Sequence, residues 1–358
     1  MSLTNLRIQN VRNIKEANLE FGPQFNIFYG ENGSGKTSLL EAVYLLSTGK
    51  SFRTSNIPKV IQNSTDYLLL FGKLDSKKNQ NIGLRKTNDK LSEIHINGEK
   101  VNKLSELAQC LPTLVVTQDS HKLLESGPQW RREFLDWGLF HVKHDFGETW
   151  SNYRKILKQR NMALSSHASK KEIDAWNFNL AATGSKITSH RKEYISQLIP
   201  HFQKYSGSLL GEGEFQLKYK QGWPQDLDLL ESLSSQYERD IITGRTEYGP
   251  HRADLTVLFN GKDSKDHVSR GQQKLLVYSL KLGQIALMNE MSNKDTLMLL
   301  DDLGSELDVI HASKLIVLLA NYFTQVFITT ANLETLPLNE VVNKKMFHVK
   351  HGTIESLN

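Results

Sequence analysis

Three groups of residues in this chain have the types and spacing to handle a nucleoside triphosphate. The first runs Gly30-Glu31-Asn32-Gly33-Ser34-Gly35-Lys36-Thr37-Ser38, a glycine, four residues and then Gly-Lys-Thr. Glycines let consecutive backbone N–H groups turn toward one anion, Lys36 reaches the β- and γ-phosphates, and the Thr37 hydroxyl meets Mg²⁺. The second group is Asp301-Asp302, directly after the apolar run Thr296-Leu297-Met298-Leu299-Leu300. Asp301 is placed to hold the metal and Asp302 to polarise an attacking water. Two carboxylates at the end of a buried strand are costly unless a cation sits there. The third is Ser269-Arg270-Gly271-Gln272-Gln273, a serine at a helix start followed by Gly and Gln. Ser269, Gly271 and Gln272 offer a hydroxyl, free N–H groups and a dipole end to a phosphate. The loop's own phosphates already have Lys36 and a helix end. A second helix end aimed at the γ-phosphate therefore belongs across a dimer interface, with ATP between two subunits. Ser305-Glu306-Leu307-Asp308 suits the same interface.

Each group needs an element to position it. Phe25-Asn26-Ile27-Phe28-Tyr29 reads as a buried strand, and the residues from Thr37 to Leu46 carry apolar side chains at helical spacing. Strand, glycine turn and helix are the context that the loop requires. Val326-Phe327-Ile328-Thr329-Thr330 is another core strand, and the runs 345–349 and 353–355 are two short ones. Leu6-Arg7-Ile8-Gln9 and Ala17-Asn18-Leu19-Glu20-Phe21 read as strands with Arg12-Asn13 in the turn between them. Residues 67 to 101 read as a β-meander closed by Asn97-Gly98. From about residue 120 to 205 strand signals stop and amphipathic helices run. Residues 226–240 read as one acidic helix, and strand signals resume at Arg245. The expected division is an ATPase lobe of residues 1–117 and 245–358, interrupted by a helical insertion at 118–244.

At 358 residues the chain accommodates such an insertion. Hydrophobic content of 39% and charged content of 23% suit a soluble globular protein, and the lone Cys110 suits a reducing cytosol. With no long apolar run and no leader pattern at Met1-Ser2-Leu3-Thr4-Asn5, a cytoplasmic location without membrane attachment is expected. The net charge is +5, but residues 151–204 alone carry +7, from ten Lys/Arg against Glu172, Asp174 and Glu193. A local excess of one sign beside a near-neutral body points to an anionic polymer, and DNA is the expected partner. No recognition helix or zinc module is evident, so contact through phosphates, independent of sequence, is expected.

In this order the motifs resemble those of the ABC-type ATPase heads of the structural-maintenance-of-chromosomes class, and more closely the RecF family of bacterial recombination mediators. Besides the nucleotide motifs, the resemblance rests on Leu6-Arg7-Ile8 with Arg12-Asn13-Ile14, Gly49-Lys50-Ser51-Phe52-Arg53, the run Gly127-Pro128-Gln129-Trp130-Arg131-Arg132-Glu133-Phe134-Leu135-Asp136, and Gly249-Pro250-His251-Arg252. It covers nearly the whole chain. It implies an α/β P-loop head with a mixed parallel core sheet, an antiparallel β-meander and an inserted, mainly helical domain in place of a long coiled coil. It implies ATP and Mg²⁺ as cofactors, with Arg12 and Asn13 in the nucleotide set and Gln118 as a metal and water contact. It also implies ATP-dependent dimerisation on duplex DNA or a single-strand/duplex junction, slow DNA-stimulated hydrolysis, and partnership with RecR and RecO in gap repair, recombinase loading and SOS induction. Departures fall at Gln118-Asp119, where the family often has Pro-Glu, and at Val11 and Ala253 in place of Phe and Asp. Asp302 stands where transporter ATPases have Glu, and Thr329-Thr330-Ala331-Asn332 lacks their γ-phosphate histidine; both favour a slow switch.

A nucleotide-gated scaffold for other proteins, and a transporter ATPase subunit, are the rival readings. The second would lack the basic helical insert and place its two nucleotide motifs closer together. For Arg131, Arg132 and Arg252 two roles stay open, as phosphate ligands of ATP or DNA, or as partners of internal carboxylates such as Asp136. His251 reads as a hydrogen-bonded turn histidine.

Overall fold

The computed structural model describes residues 2–75, 80–89, 91–292, 295–321 and 325–357. They fall into two compact units, one of residues 1–120 with 293–358, the other of residues 121–292.

The first unit holds two sheets. A six-stranded antiparallel sheet runs in the order Ile14–Glu20, Ser2–Val11, Tyr67–Asp75, Gln80–Thr87, Ser92–Ile96, Glu99–Val101. Its strands alternate buried and exposed residues, as a sheet with one solvated face must. Asn97 and Gly98 both take positive φ, which gives the hairpin turn their sequence signals. The second sheet runs in the order Thr353–Leu357, Lys344–Lys350, Phe25–Tyr29, Val326–Thr330, Leu297–Leu300, Thr113–Val116, parallel except for the terminal hairpin. Its inner strands Leu297–Leu300 and Val326–Thr330 are buried at every position, the pattern of a parallel sheet covered on both faces.

The helix Lys36–Thr48 packs against strands of both sheets and is buried nearly all round, so its apolar residues do not form a stripe. Beneath the loop that precedes it, Phe28 stacks on Phe347 at 4.7 Å between ring centroids, and Phe21 meets Phe327 edge-on at 4.9 Å. This aromatic cluster stiffens the strand that delivers the phosphate loop.

In the second unit the helices Pro128–Val142, Phe146–Ser165, Lys170–Leu210 and Arg270–Ser292 pack around one core containing Leu135, Tyr153, Leu198, Phe202 and Leu276. The 41-residue helix Lys170–Leu210 spans about 60 Å at 1.5 Å per residue and is the spine of this unit. Ser169 caps it by accepting from the Glu172 N–H.

Three sequence expectations are corrected here. The stretch 245–292 clusters with the helical unit rather than with the ATPase lobe. Strand Asp254–Phe259 pairs along its whole length with Phe215–Lys220, and helix Arg270–Ser292 packs on Lys170–Leu210 and Pro128–Val142. The single acidic helix expected at 226–240 is two short ones, Leu229–Ser235 and Tyr237–Thr243, broken at Gln236, and the first begins at Asp228, which forms a reciprocal capping box with Glu231. Strand structure does not resume at Arg245, since Pro250–Arg252 forms a 3-10 turn and the strand begins only at Asp254. Among the described residues no helix is long and apolar enough to cross a membrane.

Candidate nucleotide site

The strand Phe25–Tyr29 ends at Gly30, whose φ of 150° and tight surroundings require glycine: a Cβ there would lie 2.2 Å from the Val349 carbonyl oxygen. Asn13, in the turn after the first strand, donates from Nδ2 to the Ser34 carbonyl at 3.1 Å and pins the loop from outside. The Lys36 ammonium donates to the carbonyls of Gly30 at 2.6 Å and Glu31 at 2.9 Å, so the loop is wrapped around its own lysine. Ser34 Oγ is buried without a hydrogen-bond partner, an orphan donor inside the phosphate loop. Burial lowers the Lys36 pKa, and the charges of Asp302 and Asp301 oppose that.

Asp301 caps the buried strand Leu297–Leu300. The Thr37 hydroxyl donates to its Oδ1 at 2.9 Å, and the Thr329 hydroxyl donates to the same oxygen at 2.8 Å. Burial raises the Asp301 pKa, and the two threonine hydrogen bonds hold it down. Asp302 takes the left-handed conformation at φ 55° and ψ 48°, a strained choice for a non-glycine residue. Its N–H is fixed by Thr329 Oγ1 at 2.8 Å, and its Oδ2 accepts from the Ser305 hydroxyl at 2.6 Å.

These groups line one cleft of about 1070 Å³. Of the sequence candidates, Arg12, Asn13, Asn32, Gly33, Gly35, Lys36, Thr37, Ser38, Gln118, Asp301 and Asp302 lie on its wall. Gly30 and Glu31 contribute through the carbonyls that hold Lys36. The reading of the sequence missed Glu41, Phe52, Arg53, Lys59, Ile61 to Ser64 and Thr329. Glu41 left a signal, as the one charged side chain in the apolar run Leu39 to Leu46. The segment 59–64 left none.

The donor set fits MgATP. Thr37 and Asp301 supply two hard oxygens side by side, which suits an ion that keeps several waters and takes phosphate oxygens. Backbone N–H groups, Lys36 and the orphan Ser34 hydroxyl suit the phosphates.

Ser269, Gly271 and Gln272 are exposed at the start of the helix Arg270–Ser292, in the second unit. The Ser269 hydroxyl accepts from the Gln272 N–H at 3.3 Å, and the Ser269 N–H donates to Gln272 Oε1 at 2.9 Å. In the single chain these residues form a reciprocal helix cap.

The arginine alternatives resolve toward internal roles. Arg131 makes a bidentate pair with Asp254, at 2.7 and 3.1 Å, and donates to the Ser126 carbonyl. Arg132 donates to the Ala253 carbonyl at 2.8 Å, and Arg252 reaches Glu247 at 3.1 Å. Asp136 is held by Arg191 instead. His251 is a hydrogen-bonded turn histidine, between the Tyr153 hydroxyl at 2.7 Å and the Thr246 carbonyl at 3.0 Å. The basic stretch is also less free than its +7 suggests. Arg160 and Arg191 are fully buried, paired with Asp240 and Asp136, which lie outside the stretch in sequence. Arg154, Lys155, Lys158 and Lys171 remain exposed, with no carboxylate in ion-pair reach among the described residues.

Comparison with known proteins agrees with this arrangement. Residues 2–355 match the family profile described as the RecF/RecN/SMC N-terminal domain. The chain is 40% identical to the DNA replication and repair protein RecF of Shewanella halifaxensis, over 99% of this chain and 98% of that protein. Its fold matches that of a recombination mediator protein RecF solved with ATP, of the RecFOR pathway, with a TM-score of 0.89 at 26% identity, covering 99% and 97% of the two chains. An Smc head bound to the winged-helix domain of ScpA shares the fold alone, with a TM-score of 0.61 at 16% identity over 100% and 97% of the chains.

Proposed function

Because this chain belongs to the RecF family, we propose that it is an ATP-gated DNA clamp of replication and repair, in which MgATP closes two copies around DNA. The observation that carries the reading is the meeting of Lys36, Thr37, Asp301 and Asp302 in one cleft, which has the donor chemistry of a triphosphate site. ATP is the nucleotide in the related RecF structure. Mg²⁺ would be held by Thr37 and Asp301 and would supply Lewis-acid stabilisation of the phosphoryl oxygens, with Gln118 a further contact from the cleft wall. Asp302 is the candidate to orient water. Its short side chain, tied to Ser305, supports slow hydrolysis and a switch rather than a pump.

Ser269 and Gln272 are exposed, and among the described residues their side chains bond to each other's backbone, which supports a role completed by a second copy. The partner's Ser269 hydroxyl and the helix end beside it would meet the γ-phosphate. DNA contact is assigned to the exposed cations Arg154, Lys155, Lys158 and Lys171, and is expected to ignore sequence. RecR and RecO are proposed as protein partners, following the RecFOR pathway of the related structure. Gap repair, recombinase loading and SOS induction follow as proposed roles, and DNA is expected to stimulate turnover.

The test is solution mass by light scattering, with and without ATP and a gapped DNA. The expected result is a doubling for the wild type alone. Lys36→Met should fail to bind ATP, and Ser269→Arg should bind ATP yet stay single. An unchanged wild-type mass, or a dimer indifferent to Ser269→Arg, overturns the clamp.

A further inference from the structure

We infer that Glu41 is a positioning residue of the nucleotide cleft, one buried carboxylate that sets both arginines lining it, Arg12 and Arg53. The inference rests on reading the cleft as an ATP site. Glu41 is 0% exposed on the helix Lys36–Thr48, four residues past Thr37. Its Oε2 accepts from Arg12 Nε at 2.8 Å and its Oε1 from Arg12 Nη2 at 2.9 Å, a bidentate fork. The Ser51 hydroxyl donates to Oε1, and Arg53 Nη1 stands 3.6 Å from Oε2.

Each of these partners carries a piece of the cleft wall. Arg12 donates from Nη1 to the Lys59 carbonyl at 2.6 Å, and its N–H bonds the Val60 carbonyl at 2.8 Å, which sets the segment leading to Ile61 and Gln62. Ser51 Oγ accepts from the N–H groups of Arg53 at 3.0 Å and Thr54 at 3.1 Å, which shapes the turn presenting Phe52 and Arg53. Three segments distant in sequence are therefore tied to one side chain, and all three line the cleft.

The electrostatics give this arrangement a role beyond packing. Among the described residues, Arg12, Lys36, Arg53 and Lys59 share the cleft wall with no anion but Asp119, Asp301 and Asp302. Glu41 sits behind that wall, screens two of the cations from each other, fixes the plane of the Arg12 guanidinium through its fork and holds Arg53 by charge at 3.6 Å. Of the five N–H donors of Arg12, three are used on Glu41 and Lys59, which leaves two for a ligand. Arg53 also acts on Asp301, whose pKa its charge lowers, so the same carboxylate governs a cation felt at the metal site. A guanidinium pre-set in this way loses less freedom when it meets a phosphate or a ribose oxygen.

Glu41→Gln keeps the volume and the Ser51 contact while removing the charge. Its Kd for ATP, measured by fluorescence titration without DNA, should rise about tenfold or more. Its KM should rise in parallel, with kcat at saturating ATP within threefold of wild type. In an Arg12→Gln/Arg53→Gln background the same change should add less than twofold, because Glu41 acts through those two side chains. The unliganded thermal midpoint reports folding. Should Glu41→Gln fail to fold, Ser51→Ala leaves the ion pair intact and releases the Arg53 turn alone, with a threefold rise expected. A folded Glu41→Gln with wild-type Kd, full additivity in the arginine background, or a folded Ser51→Ala with unchanged affinity each overturns the inference. Lys36→Met separates the two levels. If it loses ATP while Glu41→Gln does not, the positioning role fails and the ATP site stands. If Lys36→Met binds ATP like wild type, the ATP-site reading itself fails.

Discussion

Thr37 and Asp301 are 264 residues apart in the chain, yet the Thr37 hydroxyl lies 2.9 Å from Asp301 Oδ1. Parallel sheet order produces this contact. Leu297–Leu300 and Phe25–Tyr29 flank Val326–Thr330, so their carboxyl ends open onto the same side. Thr329, from the strand between them, donates to the same Asp301 oxygen and accepts from the Asp302 N–H, which makes it the spacer that sets both carboxylates.

Asp301→Asn tests what the carboxylate is for. Burial raises its pKa against the pull of its two threonine hydrogen bonds, so its charge is disfavoured in the unliganded fold. Without nucleotide, the variant should match or exceed the wild-type thermal midpoint at pH 7. Hydrolysis in single-turnover assays should fall by about 100-fold or more, since a metal contributes several kcal/mol to the transition state. A destabilised variant with turnover intact would assign Asp301 a structural role.

Arg191 and Asp136 form the second long-range pair to test. Arg191 is 0% exposed, binds Asp136 at 2.7 and 3.0 Å, and donates to the Pro250 carbonyl at 2.6 Å. It joins the long helix, the helix Pro128–Val142 and the turn before strand Asp254–Phe259. Arg191→Met leaves the Asp136 charge buried without its partner and should cost about 3–5 kcal/mol in urea unfolding. Arg191→Met with Asp136→Leu should recover much of that deficit. A single variant within 0.5 kcal/mol of wild type (about the spread of an ordinary surface change) would refute the assignment.

These pairs mark where the sequence was legible and where it was not. The phosphate loop, the strand before it, Asp301 and the Asn97-Gly98 hairpin were readable because each is a local pattern with a backbone cause. Arg160 and Arg191 were misread as free charge, since their counterions Asp240 and Asp136 lie 80 and 55 residues away. Strands Asp254–Phe259 and Phe215–Lys220 each carry a local alternation, but their pairing does not, because the register between segments distant in the chain leaves no local trace. Segment 59–64 is held at the cleft by the Arg12 contacts with Lys59 and Val60, by the Gln62 N–H on the Asn10 carbonyl and by the bridge between Val11 and Ile61. No spacing rule encodes that.

The exposed cations give the complementary prediction. Arg154, Lys155 and Lys158 lie on the outer face of the helix Phe146–Ser165, and neutralising them disturbs no internal packing. The triple variant to Gln should keep the wild-type thermal midpoint. Its slope of log affinity for duplex DNA against log salt should fall by about 0.9 for each phosphate that the protein no longer neutralises. Fluorescence anisotropy at several salt concentrations measures it, and an unchanged slope would move the DNA path away from this helix.

His251 predicts a pH response of the second unit. A carbonyl can only accept, so Nε2–H donates to the Thr246 oxygen, and in the neutral imidazole that burial favours Nδ1 accepts from the Tyr153 hydroxyl. Burial pushes its pKa from the usual 6.5 down to about 4. The folded state therefore binds fewer protons than the unfolded state between those values. Stability from this group is complete above pH 6.5 and is lost as the pH falls toward 4. The full difference corresponds to roughly 3 kcal/mol. In His251→Gln that component is absent. The stability gap between wild type and variant should therefore shrink, or invert, by about 2 kcal/mol or more from pH 7.5 to pH 4.5. Urea unfolding of both proteins across that range decides it. Parallel stability curves would mean that His251 titrates normally and that its two hydrogen bonds do not hold it neutral.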